Sequence, residues 1–522
     1  MSNHTHRTRR LGALLLVLGL TAATACGGDD DTGADTGDTG DNGGSGDAEA
    51  VEGGSISIAL GSEPTTLDPQ IREDGGERAV NDNVYETLLF RNKDGELEPK
   101  LAAEMPTQID DTTWEVKLRE GITFHNDEPL NAEVVAASFN RIIDPEFNSE
   151  QIGFVEGITE IEAVDETTVR FTTEGPDPIL PSRLYWIKVV PIEYSKDSAF
   201  AESPVGTGPY KFVEWQRGQE LVLEKNPDYW GDPAPSIDEV TYRFVAESGT
   251  RLSGLISGEF DLITNLLPED ADQAPKSAHV QGLEHPVMIL NAMGGPTESL
   301  EVRQAMNYAV DKEALAEELY GGFAEVDQCQ ILSPTYAGFN EEIDAYPYDP
   351  EMAKQMITDA GAEGADIEVI STAGRWLKDR EVTEAVANYW TEAGLTVNVR
   401  IFEFDEYLDR LFDRETRAPA IFVVSSNELL DAARVMAAYY AKDGTGASNA
   451  NEELVQLIDD ARVETDAEAR EELYAQATKI ACDEAYFAFL LNIEDIYGLS
   501  ERLQWEPRVD AKLIVSEMSV TG

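Results

Sequence analysis

The chain has 522 residues, with 101 acidic against 39 basic side chains and a formal net charge of −62. A negative charge of this size argues against nonspecific binding to nucleic acid or to anionic lipid headgroups. Self-repulsion on this scale costs stability unless salt screens it, so the composition indicates a saline or halotolerant source.

The amino terminus is typical of a secretory signal at residues 1–25. Three arginines within residues 7–10 precede an apolar run at 11–20, which is shorter than the roughly 20 residues of a membrane-spanning helix. Residues 23–26, Ala-Thr-Ala-Cys, resemble a bacterial lipobox, in which the cysteine becomes the lipidated first residue. We therefore expect Cys26 to anchor the mature protein to the outer side of the cell membrane.

Residues 26–53 are predicted to be a disordered tether. They are mostly glycine, aspartate and other small residues, and they contain no aromatic side chain. Such a segment buries too little apolar surface to offset its chain entropy. Repulsion between its acidic residues keeps it extended, so the folded part is held away from the membrane.

The folded part is predicted to begin with a strand at 54–60, in which alternate residues are apolar. A strongly periodic helix follows at 130–143, with Asn131 as its N-cap. Alternating patterns at 158–164 and 168–172 then predict a pair of strands.

The segment 205–231 predicts a β-hairpin. Gly-Thr-Gly-Pro at 206–209 forms a tight turn, because glycine permits unusual backbone angles and proline fixes the residue that leaves the turn. Alternating residues flank a second turn at 216–219. The closing Asn-Pro-Asp turn then places Tyr229 and Trp230 beside the hairpin.

The second half of the chain alternates strands and helices. A helical stripe at 302–310 is followed by Asp311, which is placed to cap a second helix. A strand at 366–372, a helix and a buried strand at 395–401 predict a βαβ unit with parallel strands. Two more helices and the apolar run 486–491 complete this half; the helices are predicted at 451–462 and 467–481.

Several of these segments are similar to motifs of one protein family. They are G-T-G-P-Y at 206–210, N-P-D-Y-W at 226–230, W-E-V-K-L-R-E-G-I-T-F-H at 114–125 and V-R-Q-A-M-N-Y-A-V-D-K at 302–312. Together they resemble the family 5 extracellular solute-binding proteins, the peptide/nickel-binding type that serves bacterial ABC importers. The resemblance covers nearly all of residues 54–510, in the order of the family, and is strongest before residue 312.

The resemblance implies an α/β fold with two lobes: a large, class II-like periplasmic-binding-protein type with an extra inserted subdomain and mixed sheets flanked by helices. Lobe 1 is expected at 54–267, with the inserted subdomain at about 105–200. Lobe 2 is expected at 268–490, and residues 491–522 return to lobe 1.

The same resemblance implies the partners. The lobes would close on a small solute and deliver it to an ABC permease with its ATPase. We expect a monomer that contacts the membrane through its lipid anchor only and that binds no cofactor, metal or nucleic acid.

The residues themselves do not indicate an enzyme. The histidines beyond the signal, His125, His279 and His285, lack the spacing of metal ligands. No nucleophile motif or phosphate-binding loop is present in the sequence. A secreted hydrolase is therefore the less supported alternative, and a sensory or adhesive lipoprotein without a transport partner is another.

Candidate ligand contacts lie at predicted strand ends and in aromatic segments. They are Ser62, Glu63, Tyr85, Trp186, Asn291, Arg375, Trp376, Ser425 and Asn427. In this cation-poor chain, Arg375 beside Trp376 could hold a carboxylate through two hydrogen bonds, although a structural salt bridge is equally open. Core packing is the alternative for the aromatic residues, and Tyr85 is expected at the start of a helix.

One departure from the family concerns the ligand. Many peptide-binding relatives carry a W-x-x-D-Y-x-D-P element whose aspartate receives the α-ammonium of the peptide. The matching stretch here, 421–431, has Ser425, Ser426 and Asn427 where the acid and the aromatic residue are expected. Glu428 or Asp431 could substitute for the acid. A peptide or amino-acid-derived solute stays the main hypothesis, an oligosaccharide is the alternative, and nickel lacks a recognisable histidine or chelator contact.

Besides Cys26, the chain has two cysteines, Cys329 and Cys482. An even pair in an oxidising compartment predicts a disulfide. Two separate buried thiols are the alternative.

Overall fold

The computed structural model describes residues 50–51, 53–232, 234–414 and 416–521. The predicted signal, the predicted lipidation site Cys26 and nearly all of the predicted tether lie outside the described residues. None of the described helices combines the length and the hydropathy that a membrane crossing requires.

The strands of the first half of the chain are, in order, β1 (Ala50–Val51), β2 (Ser55–Leu60), β3 (Leu89–Arg91), β4 (Leu97–Pro99), β5 (Thr107–Asp110), β6 (Thr113–Lys117), β7 (Ile158–Ala163), β8 (Thr168–Thr173), β9 (Tyr210–Gln216), β10 (Glu220–Lys225), β11 (Glu239–Phe244) and β12 (Leu262–Ile263). Those of the second half are β13 (Lys276–Gln281), β14 (Glu284–Leu290), β15 (Ala324–Val326), β16 (Asp366–Thr372), β17 (Thr396–Phe402), β18 (Ala420–Ser426), β19 (Phe487–Phe489), β20 (Leu491–Leu499), β21 (Leu503–Gln504) and β22 (Ser519–Thr521).

The α-helices are α1 (Gly75–Val84), α2 (Ala132–Ile143), α3 (Leu180–Trp186), α4 (Ser248–Ser257), α5 (Leu300–Tyr308), α6 (Lys312–Tyr320), α7 (Pro350–Asp359), α8 (Asp379–Glu392), α9 (Phe404–Phe412), α10 (Ala432–Tyr439), α11 (Glu452–Val463) and α12 (Ala467–Asp483). Short 3₁₀ turns connect several of them. The predicted caps are confirmed: the side chains of Asn131 and Asp311 accept hydrogen bonds from the first turns of α2 and α6.

The main sheet of lobe 1 has the strand order β13-β20-β12-β2-β11-β10-β9. Its β9 and β10 form the predicted antiparallel hairpin, with a bulge between Val222 and Leu223. The preceding Gly-Thr-Gly-Pro turn packs against the end of α1, where a Cβ on Gly206 would overlap the carbonyl oxygen of Val84. Glycine is therefore required there by close backbone approach.

A separate antiparallel sheet, β5-β6-β8-β7, forms the inserted subdomain together with α2. Alternate side chains of these strands face an apolar core; Val116, Phe139 and Phe171 are among its buried members. The predicted strand pair is thus the β7–β8 ladder.

The sheet of lobe 2 has the order β17-β16-β18-β14-β19. Its β16, α8 and β17 form the predicted βαβ unit, with β16 and β17 parallel. The expectation that 395–401 is a buried strand is wrong, because β17 is an edge strand whose side chains alternate between exposed and half-buried.

The chain crosses between the two main sheets four times: after β13, before and after β15, which pairs with β20, and between β19 and β20. Strand β13 pairs with β20 in the lobe 1 sheet, although the sequence assigned residues from 268 onward to lobe 2. The sheet of lobe 2 begins with β14 at Glu284. The apolar run 486–491 is divided between both sheets, since β19 pairs with β14 and β20 with β13.

Cys329 is joined to Cys482 by a disulfide, with Cα atoms 5.3 Å apart and a separation of 153 positions in sequence. The bridge ties the end of α12 to the segment that follows β15 within lobe 2. Closing so long a loop limits the unfolded chain.

Candidate ligand-binding cleft

Charged side chains from both lobes converge where the lobes face each other. Arg78 comes from α1 of lobe 1, and Asp495 comes from β20. Glu284 begins β14, Arg375 follows β16, and Glu428 follows β18. The ionisation of Glu284 responds to all four of the others, so these groups share one electrostatic environment.

Arg78 lies on α1, whose first amide is bound by the N-cap Asp74. Its guanidinium lies 5.5 Å from the ring centre of Trp186, and that ring stacks on Phe154 at 5.1 Å. Burial opposes ionisation, but the nearby carboxylates of Asp82 and Glu428 outweigh it and raise the pKa of Arg78. Among the described residues, the guanidinium has no hydrogen bond or ion pair.

Glu284 and Asp495 form the acidic side of the cleft. Burial, together with the neighbouring Asp495 carboxylate, raises the pKa of Glu284 to about 7. Burial raises the pKa of Asp495 to about 6, and Arg78 opposes this rise. Both residues are nevertheless partly accessible, and neither carboxylate has a hydrogen-bond or ion-pair partner within the described part of the chain. Carboxylates that are partly accessible, have raised pKa values and lack a partner are typical of a binding cleft.

Arg375 lies on a loop that Asp379 holds in place. The carboxylate of Asp379 accepts hydrogen bonds from the amides of Gly374, Arg375 and Trp376, at 3.0, 2.9 and 3.1 Å. The Arg375 guanidinium lies 5.7 Å from the Trp376 ring and makes no hydrogen bond or ion pair among the described residues. The loop and the Trp376 ring hold the Arg375 guanidinium in position, and its N–H donors remain available to a ligand.

The charge of Arg375 also lowers the pKa of a carboxylate in lobe 1. Burial opposes the ionisation of Asp74, but the amide of Gly75, the side chain of Arg72 and the charge of Arg375 together lower its pKa. Arg375 and Arg78 therefore approach the same space from opposite lobes.

Two of the sequence-predicted residues lie at this cluster of charges: Arg375 is one of its members, and Trp186 lies beside Arg78. Trp186 is 6% exposed, and its indole donates a 2.8 Å hydrogen bond to Gln151, so it supports Arg78 more than it offers a free stacking face. Ser62 is exposed at the start of the loop after β2, against Gly76 of α1.

The structure gives other predicted residues internal partners within lobe 1. The Glu63 carboxylate accepts hydrogen bonds from the indole of Trp215 at 3.0 Å and the amide of Gly218 at 2.8 Å, which fixes the hairpin turn. Tyr85 ends α1, so the expectation that it starts a helix is wrong; its buried hydroxyl donates to the Leu67 carbonyl.

In lobe 2, Asn291 donates from its side chain to the Arg417 carbonyl and accepts from the amide of Met293. Trp376 packs edge to face against aromatic rings of its own lobe; they belong to Phe404, Tyr407 and Phe422. Ser425 is buried in β18, and the buried Asn427 donates to the Asp431 carbonyl at 2.8 Å. These contacts are structural.

The sequence prediction missed Arg78, Glu284 and Asp495 and gave Glu428 only as a substitute for the absent aspartate. The available signal was weak: Glu284 is the only acid of β14, a strand that ends in an apolar run, and Asp495 follows Glu494 in the middle of β20. An acid in a mostly buried strand needs an explanation.

Comparison with known proteins identifies the family. The model of the bacterial extracellular solute-binding proteins, family 5 Middle, matches residues 96–447. The glutathione-binding protein GsiB of Escherichia coli strain K12 is 30% identical over 317 residues, or 59% of this chain and 61% of that protein. The chain thus matches about three-fifths of the length of this relative. The heme-binding protein A of Haemophilus influenzae is 30% identical over 451 residues, or 78% of this chain and 81% of that protein.

Solved structures agree on the fold. DppA from Helicobacter pylori, in complex with the peptide STSA, superposes with a TM-score of 0.72 at 25% identity, over 90% of this chain and 99% of that one. HbpA2 from Haemophilus parasuis gives a TM-score of 0.81 at 22% identity, over 90% and 100% of the two chains. These matches confirm the predicted two-lobed, mixed α/β fold.

The relatives are named as binding proteins, which agrees with the prediction that the chain is not an enzyme. The family model spans more than half of the chain and includes the segments that carry Arg375 and Glu428. The chain belongs to the family 5 bacterial extracellular solute-binding proteins.

Proposed function

We propose that this protein is a receptor outside the cytoplasm that captures a peptide or amino-acid-derived solute between its lobes and delivers it to an ABC permease. The observation that carries the proposal is the set of unpaired charges of both signs in the cleft. Two guanidinium groups and two carboxylates are accessible without partners among the described residues.

These groups match a solute that has both an ammonium and a carboxylate. A guanidinium binds a carboxylate through two parallel hydrogen bonds, and Arg375 and Arg78 offer this geometry from opposite lobes. Glu284 and Asp495 can accept from an ammonium group. Because their pKa values are raised to about 7 and about 6, a bound cation would favour their charged forms and release protons near neutral pH.

The relatives fit this chemistry. One is named for binding glutathione, and another was solved with the peptide STSA. Both ligands carry ammonium and carboxylate groups on a short peptide chain. Glu428 lies beside the residues where the acid of many peptide-binding relatives is expected, so it is a further candidate for the ammonium contact.

An oligosaccharide ligand would be expected to need open aromatic faces. Trp186 is 6% exposed, and Trp376 is half-buried, with edge-to-face contacts to three rings of its own lobe. Neither tryptophan presents a fully open face, whereas the charged groups have no partners among the described residues. This arrangement favours a charged solute over a neutral sugar.

The anchoring and the habitat extend this proposal. We infer that Cys26 carries the lipid and that the segment up to residue 53 spaces the lobes from the membrane. Mass spectrometry of the membrane fraction should detect acyl groups on Cys26, and Cys26→Ser should release the protein. The charge of −62 predicts that the unfolding midpoint rises from low to molar salt; an unchanged midpoint would remove the halotolerance proposal.

The ligand proposal is tested by a thermal-shift screen in salt of the mature chain with Cys26→Ser. The panel contains dipeptides to pentapeptides, oligosaccharides and nickel chelates. Each peptide is paired with a form whose termini are acetylated and amidated. A ligand at a hundredfold excess over its Kd should add about 2.7 kcal/mol of stability.

We expect shifts with free peptides and much smaller shifts with the blocked forms, since blocking removes the charges that the cleft can pair. Shifts with oligosaccharides alone would contradict the proposed ligand class while retaining the receptor. Equal shifts with free and blocked peptides would contradict the assigned role of the charged groups.

A further inference from the structure

One loop of lobe 2 inserts into the core of lobe 1. This loop, residues 427–431, connects β18 to α10. Leu429 is 6% exposed and belongs to an apolar cluster whose other buried members, within the described ranges, all lie between residues 88 and 189. A single lobe 2 side chain therefore completes a core that otherwise belongs to lobe 1.

A hydrogen bond accompanies this apolar contact. Arg91 of lobe 1 donates from Nη2 to the Leu429 carbonyl at 2.5 Å and from Nη1 to the Gly95 carbonyl at 2.5 Å. Its guanidinium lies 5.1 Å from the ring centre of Tyr185. Arg91 is 6% exposed, and burial lowers its pKa. Loss of the Leu429 carbonyl would leave a buried charged donor short of an acceptor.

The loop is fixed to the rest of lobe 2. Leu430 has a left-handed backbone, with φ of 52°, and its carbonyl accepts a 3.0 Å hydrogen bond from the Ala337 amide. The Asp431 carboxylate accepts two hydrogen bonds from the Arg470 guanidinium, at 3.0 and 2.5 Å. A non-glycine residue keeps such a backbone only where its surroundings hold it. The loop should therefore move with lobe 2.

The residue next to the inserted leucine faces the cleft. Glu428 pairs with Arg434 at 3.1 Å, and its charge also acts on Arg78 of lobe 1. The insertion of Leu429 thus determines how closely Glu428 approaches Arg78.

We propose that Leu429 and Arg91 are positioning residues that form a latch between the lobes and place Glu428 in the cleft. Opening would expose the Leu429 side chain and remove one acceptor from Arg91, so both contacts favour the closed arrangement. The latch rests on the proposed function for its effect on affinity, since closure then surrounds the solute. Two residues that need not touch the solute would set part of its affinity.

The test uses the full mature chain with Cys26→Ser as the background. Leu429→Ala removes most of the apolar insertion, Leu429→Met conserves it, and Arg91→Lys keeps the charge but not the forked donors. Val463→Ala is the matched control, because Val463 is 51% exposed on α11 of the same lobe. Small-angle X-ray scattering gives the radius of gyration without added solute, and calorimetry gives Kd for a peptide that passes the thermal screen.

We expect Leu429→Ala to increase the radius of gyration and to weaken peptide binding about tenfold or more. Leu429→Met should keep the radius of gyration and the Kd close to those of the parent chain, and Val463→Ala should change neither value. An unchanged radius of gyration in both Leu429→Ala and Arg91→Lys would overturn the latch. If Leu429→Ala does not fold, Arg91→Lys decides alone. Because scattering needs no solute, an increased radius supports the latch even if every peptide fails to bind and the proposed function falls.

Discussion

Two groups of charged side chains, one in the interior of lobe 1 and one in the cleft, differ in how they are paired. In lobe 1, the Lys188 ammonium lies 3.2 Å from Glu73 and 3.0 Å from Asp82, and Lys512 lies 3.2 Å from the same Asp82 oxygen. These side chains are at most 4% exposed. Each ammonium is therefore held by at least one carboxylate.

In the cleft, the corresponding charges are open. Arg78 and Arg375 lack acceptors, and Glu284 and Asp495 lack donors, among the described residues. Arg375 is exposed, whereas the other three are partly buried. Leaving a partly buried charge unpaired is costly, so a fold keeps such groups only where something else uses them. The comparison indicates that the paired charges stabilise the fold and that the unpaired charges are available to bind a solute.

The largest effect should come from breaking the paired cluster. Burial alone would raise the pKa of Asp82, but Lys188 and Lys512 outweigh it and lower the pKa to about 2. Asp82→Asn would leave two buried ammonium groups with less compensation and should cost about 3–5 kcal/mol of unfolding free energy. Urea denaturation measures this loss.

The matched control is Asp228→Asn, since the Asp228 side chain is 89% exposed and only 4.0 Å from its nearest cation. That variant should stay within about 0.5 kcal/mol of the parent protein. If Asp82→Asn were as stable as the control, the paired charges would not be needed for stability. Pairing would then not distinguish charges that stabilise the fold from charges that bind solute.

The next effect should appear in binding and not in stability. Arg375→Ala removes an open guanidinium and should weaken peptide binding by about a hundredfold, as expected for the loss of a bidentate carboxylate contact. Its unfolding free energy should change by less than about 0.5 kcal/mol, because no hydrogen bond of the described fold is lost. Calorimetry and urea denaturation together measure the two values.

Arg380→Ala is the control on the neighbouring helix, where Arg380 is 53% exposed and 3.9 Å from Glu384. It should leave both values unchanged. If Arg375→Ala were less stable but bound peptide with normal affinity, Arg375 would be a residue that stabilises the fold and not one that binds the solute.

Local patterns in the sequence predicted the elements well. Asn131 and Asp311 cap helices because short polar side chains bind the free amides of a first turn. The hairpin of β9 and β10 follows from alternation between turn residues, and the parallel pair of β16 and β17 follows from the intervening helix. These features depend on neighbours in sequence, so the sequence contains their cause.

The cleft depends on contacts between distant segments. Glu284 and Asp495 are brought together by the pairing of β13 with β20 and by the crossing into β14. Among 101 acidic residues, nothing local marks these two. The sequence prediction gave Asn427 as a ligand contact and Glu428 only as a substitute for the missing acid, but Asn427 packs inward. Contacts between distant segments determine which side of this loop is buried.

The smallest expected effect is the loss of folding stability that an unpaired, partly buried carboxylate causes. Burial raises the pKa of Asp495 to about 6, against about 3.9 in an unfolded chain. The folded state therefore binds a proton more tightly than the unfolded state, and the carboxylate lowers stability as pH rises from about 4 to about 6, with the full cost above that range. Asp495→Asn should match the parent protein at pH 4 and exceed it at pH 8 by about 1–2 kcal/mol, because water in the cleft reduces the ideal cost.

The same variant should bind free peptides less tightly at pH 8, since it no longer offers a charge to the ammonium group. Exposed Asp94 provides the control: Asp94→Asn should change neither stability nor affinity. Thermal unfolding at several pH values, with and without peptide, separates the two effects. A gain in stability with a loss of affinity means that Asp495 is kept for the solute at the expense of the fold. A loss of stability at pH 8 would instead mean that Arg78 and Asp495 already satisfy each other, and the cleft would then resemble the paired cluster of lobe 1.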